Sequence, residues 1–147
     1  MKKHILLDID GVFNVDYIGD DIEVVNHPYG RWLCKSSTLK TLVKIFYQKY
    51  DDYNFVWISS WMNESNYLNQ YINIPDFEII KYVTTINGWA KANSILQFIQ
   101  EHKNDQIIII DDEIPDYFIK QLLEYEFVSV IKPVYRDGIS AKQLLSL

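Results

Sequence analysis

The part of the sequence that decides the fold is residues 5–13, which read ILLDIDGVF. The apolar run at residues 5–7 is typical of a buried parallel strand, and the acidic residues after it mark the end of that strand. Asp8 and Asp10 alternate in direction while the backbone stays extended, but a turn at Gly11 lets both carboxylates reach one pocket. Two carboxylates in one pocket repel each other unless a cation binds there. Magnesium prefers hard oxygen ligands and can bind a phosphate group at the same time, so it is the cation that we expect.

A second acidic strand end lies much later in the chain. Residues 107–110 are four isoleucines, too apolar for an edge strand, and Asp111 and Asp112 follow them directly. The carboxyl ends of neighbouring parallel strands open into one crevice, which is where open α/β sheets bind ligands. An Asp-x-Asp-Gly sequence alone is equally compatible with a simple turn, because Asp and Gly are common turn residues. The second acidic end favours a site made of four carboxylates, those of Asp8, Asp10, Asp111 and Asp112.

Four motifs, which follow one another along the chain, resemble those of the haloacid dehalogenase-like (HAD) phosphohydrolase superfamily. The first, Asp-x-Asp-Gly after the first strand, is matched by LLDIDGVFN at residues 6–14. The second, a Ser or Thr that closes a strand, is matched by Ser59 after FVWI. The third is a lysine that begins a helix, matched by Lys91, and the fourth is the acidic strand end at residues 111–112. Together the motifs span most of the chain.

A narrower resemblance rests on the Trp-x-Ser-x-Trp sequence formed by Trp57, Ser59 and Trp61. In this respect, and in the acidic strand end IIIIDDE, the chain is most similar to the small HAD domains of Swiss Army Knife RNA-repair-type proteins. The two short strands predicted at residues 22–25 and 31–34 would form a hairpin within residues 14–35, where the resemblance places a flap. The small size of this hairpin implies that no large cap domain covers the site.

The hydrophobic pattern predicts the same kind of fold as the resemblance implies. Because strands and helices alternate, right-handed parallel crossovers are required. We therefore expect residues 1–147 to form one HAD-like hydrolase domain of the α/β class, a three-layer, doubly wound, Rossmann-like parallel sheet. The predicted sheet strands are residues 4–9, 55–58, 77–83, 107–110 and 127–131, and the predicted helices are residues 36–50, 63–71, 91–99, 115–124 and 140–147.

The resemblance implies a catalytic role for each motif residue. Asp8 would attack the phosphorus and form an aspartyl-phosphate. The side chain of Asp10 would protonate the leaving oxygen and then activate water for the second step. Phosphate monoesters repel an anionic nucleophile, so the site must also supply positive charge and hydrogen-bond donors. Ser59, its neighbour Ser60, and Lys91 would hold the phosphoryl oxygens.

The same resemblance implies how magnesium would be held. Its ligands would be Asp8, the backbone carbonyl of Asp10 and the carboxylate of Asp111. Asp112 would either bind the metal through water or orient Lys91. A second lysine, Lys81, lies within a predicted strand and is an alternative phosphate-binding cation, but Lys91 fits the motif order better.

Two residues of the predicted hairpin, His27 and Arg31, could contact a substrate above the site. For each of them, however, a position in solvent without substrate contact is the stronger expectation. His27 is expected to be an exposed turn residue, and Arg31 a solvated strand residue.

The composition is that of an ordinary globular protein: of 147 residues, 48% are hydrophobic and 23% are charged, with a formal net charge of -6. This length allows one domain with a substantial core. The negative charge argues against extended contact with a nucleic-acid backbone, although contact with a nucleic-acid end stays compatible. The single cysteine, Cys34, excludes an internal disulfide. The apolar run after residues 1–4 is too short for a signal peptide or a membrane span, so we expect a cytoplasmic protein without membrane contacts.

Three functions are compatible with these residues. The leading prediction is a magnesium-dependent phosphomonoesterase that acts on a nucleotide or another small phosphorylated metabolite. A nucleic-acid end-processing phosphatase is an alternative, because Trp57, Trp61 and Trp89 could stack bases, although such residues more often belong to the core. The third function is a non-catalytic binding protein built on the same fold. The presence of both Asp8 and Asp10 argues against it.

Overall fold

The computed structural model of the protein describes residues 1–17, 19–83 and 88–147. Within these ranges the strands are β1 (Lys3–Leu7), β2 (Ile22–His27), β3 (Gly30–Lys35), β4 (Tyr53–Trp57), β5 (Glu78–Ile79), β6 (Gln106–Ile110) and β7 (Val128–Ile131). The α-helices are α1 (Ser36–Lys49), α2 (Asn66–Ile72), α3 (Ala92–Glu101), α4 (Asp116–Leu122) and α5 (Ala141–Leu145).

A five-stranded parallel sheet forms the centre of the molecule. Its strand order is β5-β4-β1-β6-β7, while β2 and β3 form a separate antiparallel hairpin. In β1, Leu7 pairs with Trp57 on one side and with Ile110 on the other. The predicted α/β class with a parallel sheet and a small hairpin is confirmed, and β6 lies inside the sheet as its four isoleucines predicted. The doubly wound arrangement and the single hydrolase domain stay predictions.

Two hydrophobic clusters form the core, and β1 contributes to both. Ile5 and Leu7 belong to the cluster that contains buried residues of α1, α2 and α5, whereas Leu6 belongs to the cluster of α3 and α4. Successive side chains of a strand point to opposite faces of the sheet. The two clusters therefore cover opposite faces of β1, and this explains why the strand is apolar without alternation.

Two predicted elements differ from the structure. The strand expected at residues 77–83 is only Glu78–Ile79, because this edge strand pairs with β4 over Val56 and Trp57 alone. The helix expected at residues 63–71 is instead a 3-10 turn at Met62–Ser65 followed by α2. The 3-10 turn follows a tight bend in which the backbone N–H of Met62 donates to the carbonyl of Ser59, and the φ angle of Met62 is 50°.

The remaining boundaries agree with the predictions to within a few residues, which is the usual uncertainty at element ends. The last helix has a capping box, since the Ser140 hydroxyl accepts a hydrogen bond from the Gln143 backbone at 3.0 Å and the Gln143 side chain accepts one from the backbone N–H of Ser140. Such a cap contributes about 1 kcal/mol to helix stability. In the described ranges, no helix combines the length and apolarity that crossing a membrane requires.

Candidate active site

The predicted site residues lie just after three neighbouring strands, at the carboxyl end of the sheet. The backbone N–H of Ile58 donates to Leu7, and that of Asp8 donates to Ile110, so the three strands continue in register past their ends. Asp8 follows β1, Ser59 closes the stretch after β4, and Asp111 follows β6. This arrangement brings Asp8 and Asp111 together, as expected for adjacent parallel strands.

Lys91, which immediately precedes α3, lies between these two carboxylates. Its Nζ is 2.5 Å from Oδ2 of Asp111 and 3.2 Å from Oδ2 of Asp8. All three side chains are buried. Burial lowers the pKa of Lys91, but the charges of Asp8 and Asp111 outweigh this effect and raise it, so the ammonium group stays protonated. Lys81, the alternative cation, is exposed.

The carboxylates of Asp8, Asp111 and Asp112 form a group that could hold a metal ion, with one oxygen from each lying within 4.8 Å of the others. Oδ1 of Asp112 is buried and has no hydrogen-bond partner among the described residues. Lys91 forms its ion pairs with Asp8 and Asp111, and both roles predicted for Asp112, binding the metal through water or orienting Lys91, stay predictions. Three carboxylates, one of which has a buried oxygen without a hydrogen-bond partner among the described residues, fit a magnesium ion.

Electrostatics within this group disfavour the fully ionised state. Burial raises the pKa of Asp8 to about 7, with a further increase from the charge of Asp111 and an opposing decrease from Lys91. Burial, together with the charge of Asp111, raises the pKa of Asp112 to about 6. One ammonium group therefore does not balance the three carboxylates. A divalent cation would favour their ionised forms.

The side chain of Asp10 lies outside this group and is held by two donors. Asn14 Nδ2 donates to Oδ1 at 2.8 Å, and Trp61 Nε1 lies 3.1 Å from each oxygen. Neither the role of Asn14 nor the contact of Trp61 with Asp10 was predicted from the sequence. The metal contact predicted for Asp10 uses its backbone carbonyl, and it stays a prediction.

Gly11 allows the acidic loop, which follows β1 at residues 8–14, to pack directly on Asp112. It has a φ of 74°, and a Cβ atom at this position would overlap the Asp112 carboxylate. Both the backbone conformation and the close approach therefore require glycine.

We expect Gly11→Ala to lower the free energy of unfolding by about 3 kcal/mol, since it combines backbone strain with displacement of Asp112. Gly88→Ala is the matched control, because Gly88 has a φ of 80° but its added Cβ would lie 3.7 Å from the nearest atom, the hydroxyl of Tyr117. That control should lose only about 1 kcal/mol. Chemical denaturation of both variants measures the difference, and equal losses would show that Asp112 tolerates the methyl group.

Ser59 and Ser60 occupy different environments. Ser59 is buried, and its hydroxyl oxygen accepts a hydrogen bond from the backbone N–H of Trp61 at 3.2 Å, which leaves the hydroxyl hydrogen able to donate. Ser60 is exposed. The phosphate-binding roles predicted for both residues and for Lys91 stay predictions.

The three tryptophans considered for base stacking have different surroundings. Trp57 is fully buried and donates to Oδ1 of Asn69 at 2.7 Å, so its predicted stacking role is wrong. The cause is strand periodicity, which directs Trp57 into the core beside Phe77. Trp61 faces Asp10. Trp89 is half-buried, and its ring centre lies 5.8 Å from Lys91 Nζ.

Of the two hairpin residues that were expected to be exposed, one is not. His27 is buried rather than exposed, because its ring packs against Trp32 at 4.3 Å and Trp61 at 4.7 Å between ring centres. Arg31 is exposed on β3, as predicted. The hairpin therefore places an aromatic cluster, formed by His27, Trp32 and Trp61, beside the acidic loop.

Comparison with known proteins identifies the family. A family model described as the HAD domain in Swiss Army Knife RNA repair proteins matches residues 4–143. Searches among curated proteins and among solved structures give no significant match. The family match covers all four motifs and nearly the whole chain, and it confirms the resemblance that the motifs predicted. The chain belongs to the family of HAD domains found in Swiss Army Knife RNA repair proteins.

Proposed function

We propose that the protein is a magnesium-dependent phosphomonoester hydrolase that acts through an aspartyl-phosphate on Asp8. Family membership points to phosphatase-type chemistry. The observation that carries the proposal is the buried arrangement of Asp8, Lys91 and Asp111, with Lys91 Nζ 3.2 Å from one carboxylate and 2.5 Å from the other. A buried nucleophile next to a fixed cation meets the requirement for attack on a negatively charged phosphate ester.

The first step would be attack of an Asp8 carboxylate oxygen on the phosphorus. The Asp8 Oδ1 atom accepts a hydrogen bond from the backbone of Ile9 at 2.8 Å, which fixes the carboxylate, while Oδ2 faces Lys91. Lys91 and the hydroxyl of Ser59 would bind the phosphoryl oxygens. The Asp10 carboxyl would give its proton to the ester oxygen as the bond to phosphorus breaks.

The second step would release phosphate. Asp10, now ionised, would take a proton from water, and that water would attack the phosphorus of the aspartyl-phosphate and free Asp8. Magnesium would be held by Asp8, Asp111 and the Asp10 carbonyl, with Asp112 beside them, and when bound it would neutralise charge on the phosphoryl group. The raised pKa values of Asp8, about 7, and Asp112, about 6, support this assignment because a bound cation would offset the effect of burial, and of the charge of Asp111, that raises them.

The substrate class that we propose first is a nucleotide or another small phosphorylated metabolite. A phosphorylated nucleic-acid end is a second candidate, supported by the family description and by two half-buried aromatic rings, those of Tyr82 and Trp89, each centred 5.8 Å from Lys91 Nζ. Aromatic rings next to a phosphate-binding cation can stack a terminal base. The formal charge of -6 makes a long nucleic-acid contact unfavourable, so such a substrate would be bound at its end.

The test is phosphate release from p-nitrophenyl phosphate, nucleoside monophosphates, and oligonucleotides with a 3′- or 5′-phosphate. We expect release with magnesium, at least a hundredfold loss on chelation, and recovery when magnesium is added again. The ranking of mononucleotides against oligonucleotide ends decides between the two substrate classes. If the folded protein releases phosphate from none of them with magnesium present, the hydrolase proposal is wrong and a binding protein on this fold becomes the better explanation.

A further inference from the structure

We propose that Trp61 is a positioning residue for Asp10, and that the β2–β3 hairpin serves to hold Trp61 and Asn14 in place for this purpose. The inference rests on the proposed function, since it concerns how the proton donor of that reaction is aimed. Trp61 and Asn14 would act through Asp10 without touching the substrate.

The contacts fix the plane of the Asp10 carboxylate. Trp61 Nε1 lies 3.1 Å from Oδ1 and 3.1 Å from Oδ2, so the indole N–H points between the two oxygens. Asn14 Nδ2 donates to Oδ1 at 2.8 Å. Because the donors approach from two residues, rotation of the carboxylate would break at least one of these hydrogen bonds.

Both donors are themselves held by the hairpin. Asn14 Oδ1 accepts a hydrogen bond from the backbone N–H of Leu33 in β3 at 3.0 Å. The ring of Trp61 meets His27 at 4.7 Å and Trp32 at 5.4 Å between ring centres, in edge-to-face contacts with interplanar angles of 75° and 78°. His27 and Trp32 are both buried. Aromatic pairs of this geometry favour one relative orientation of the rings.

This arrangement matters only when the leaving group needs a proton. In the first step the proton passes from Asp10 to the ester oxygen, which keeps the electron pair of the broken bond to phosphorus. An alkyl alcohol leaves poorly without that proton, whereas p-nitrophenolate leaves as a stable anion. A donor that is misplaced by about 1 Å can cost on the order of a hundredfold in rate. Loss of the indole N–H should therefore affect alkyl esters selectively.

The variant that tests this is Trp61→Phe, which removes the N–H but keeps an aromatic ring against His27 and Trp32. We expect kcat/KM for an alkyl phosphate such as glycerol phosphate to fall by about a hundredfold. For p-nitrophenyl phosphate the expected loss is below about threefold, because general-acid assistance is then unnecessary. A purely structural role would lower both values equally.

Trp57→Phe is the matched control. Trp57 is a buried tryptophan two residues before Ser59, and its indole N–H donates at 2.7 Å to Asn69 rather than to Asp10. This variant should lose stability, but the ratio between the alkyl and p-nitrophenyl substrates should stay that of the wild type. An unchanged ratio in Trp61→Phe, or the same change in both variants, would overturn the proposal.

A second measurement is independent of turnover and separates this inference from the proposed function. In a double-mutant cycle with Trp61→Phe and Asp10→Ala, the shifts of the denaturation midpoint should be non-additive, because the two side chains share hydrogen bonds. Additive shifts would overturn the inference even in an active enzyme. A wild-type protein that releases no phosphate would refute the proposed function, and additivity would still decide whether Trp61 holds Asp10.

Discussion

Asp8→Asn should reduce phosphate release by a factor on the order of 10⁴ or more, because an amide cannot form the aspartyl-phosphate. The fold should survive the substitution. Burial holds the pKa of Asp8 at about 7, so above that pH the native state contains a buried charge that the neutral amide lacks. We therefore expect the variant to be at least as stable as the wild type at pH 8, by thermal denaturation, while kcat falls to the background rate.

Asp105→Asn provides the matched control for this substitution. Asp105 lies near the opposite ends of the strands, where it accepts hydrogen bonds from His4 at 2.9 Å and from the backbone of Lys2 at 3.0 Å. The hydrogen bond from His4, followed by that from Lys2, lowers the pKa of Asp105, so its contribution to stability is present above the unfolded-state value and is lost as the pH falls through the folded-state value. This variant should be less stable at pH 8 but should keep its turnover.

The covalent step can be tested directly by rapid quenching. Wild-type enzyme quenched in acid during turnover should carry a phosphate label that hydroxylamine removes, and Asp8→Asn should not. A variant that keeps more than a tenth of wild-type turnover, or that still acquires the label, would show that Asp8 is not the nucleophile.

Lys91→Met should produce a large loss of stability as well as of activity. The substitution leaves Asp8 and Asp111 buried without the ammonium group that now lies within 3.2 Å of both. Removing one member of a buried ion pair typically costs about 3 to 5 kcal/mol, and we expect about 3 kcal/mol at pH 8. Turnover should fall by about 10³ as well, because the phosphoryl group loses its cation.

The pH dependence of this loss has a definite sign. Lys91 lowers the pKa of Asp8, which burial raises to about 7 overall, so removal of Lys91 raises it further. A carboxyl group with a pKa above its unfolded-state value loses stability as the pH rises through the folded-state value. The Lys91→Met penalty should therefore be smaller at pH 5, where Asp8 is protonated, than above pH 7. Denaturant titrations at pH 5 and pH 8 measure this difference.

Lys132→Met is the control for removal of a paired lysine. Its Nζ lies 3.6 Å from Asp116, whose side chain is 90% exposed. Exposed ion pairs contribute about 0 to 1 kcal/mol, so this variant should lose less than about 0.5 kcal/mol at either pH. Equal losses in Lys91→Met and Lys132→Met would mean that Asp8 and Asp111 do not depend on Lys91.

The strands and the main site residues could be predicted from the sequence because they depend on local patterns. The isoleucine run of β6 and the apolar residues 5–7 of β1 identify interior strands, and parallel pairing then places Asp8 and Asp111 at the carboxyl end of the sheet. Lys91 could be assigned only by motif order, since a lysine before a helix is usually a solvated charge. Its burial between two carboxylates depends on how α3 packs.

The support of Asp10 could not be predicted from the sequence. Asn14 and Trp61 are 47 positions apart, and both reach Asp10 only because the hairpin packs beside the acidic loop. Trp57 and Trp61 look alike in the sequence, yet strand direction sends the first into the core, and the turn after Ser59 directs the second towards the site. Local periodicity specifies the face of a strand but not the contacts of a loop.

The register of the central strands has a consequence for the order in which the protein can become active during synthesis. Leu7 pairs with both Trp57 and Ile110, so β1 lies in the middle of the sheet. It can pair on both sides only after strands far along the chain have been synthesised. Asp8 and Asp111 are 103 positions apart, and closing such a loop carries an entropic cost that only the finished sheet repays. A nascent chain that has emerged as far as α3 contains Asp8, Ser59 and Lys91, but it still lacks Asp111 and Asp112, two of the three carboxylates that could hold a metal ion.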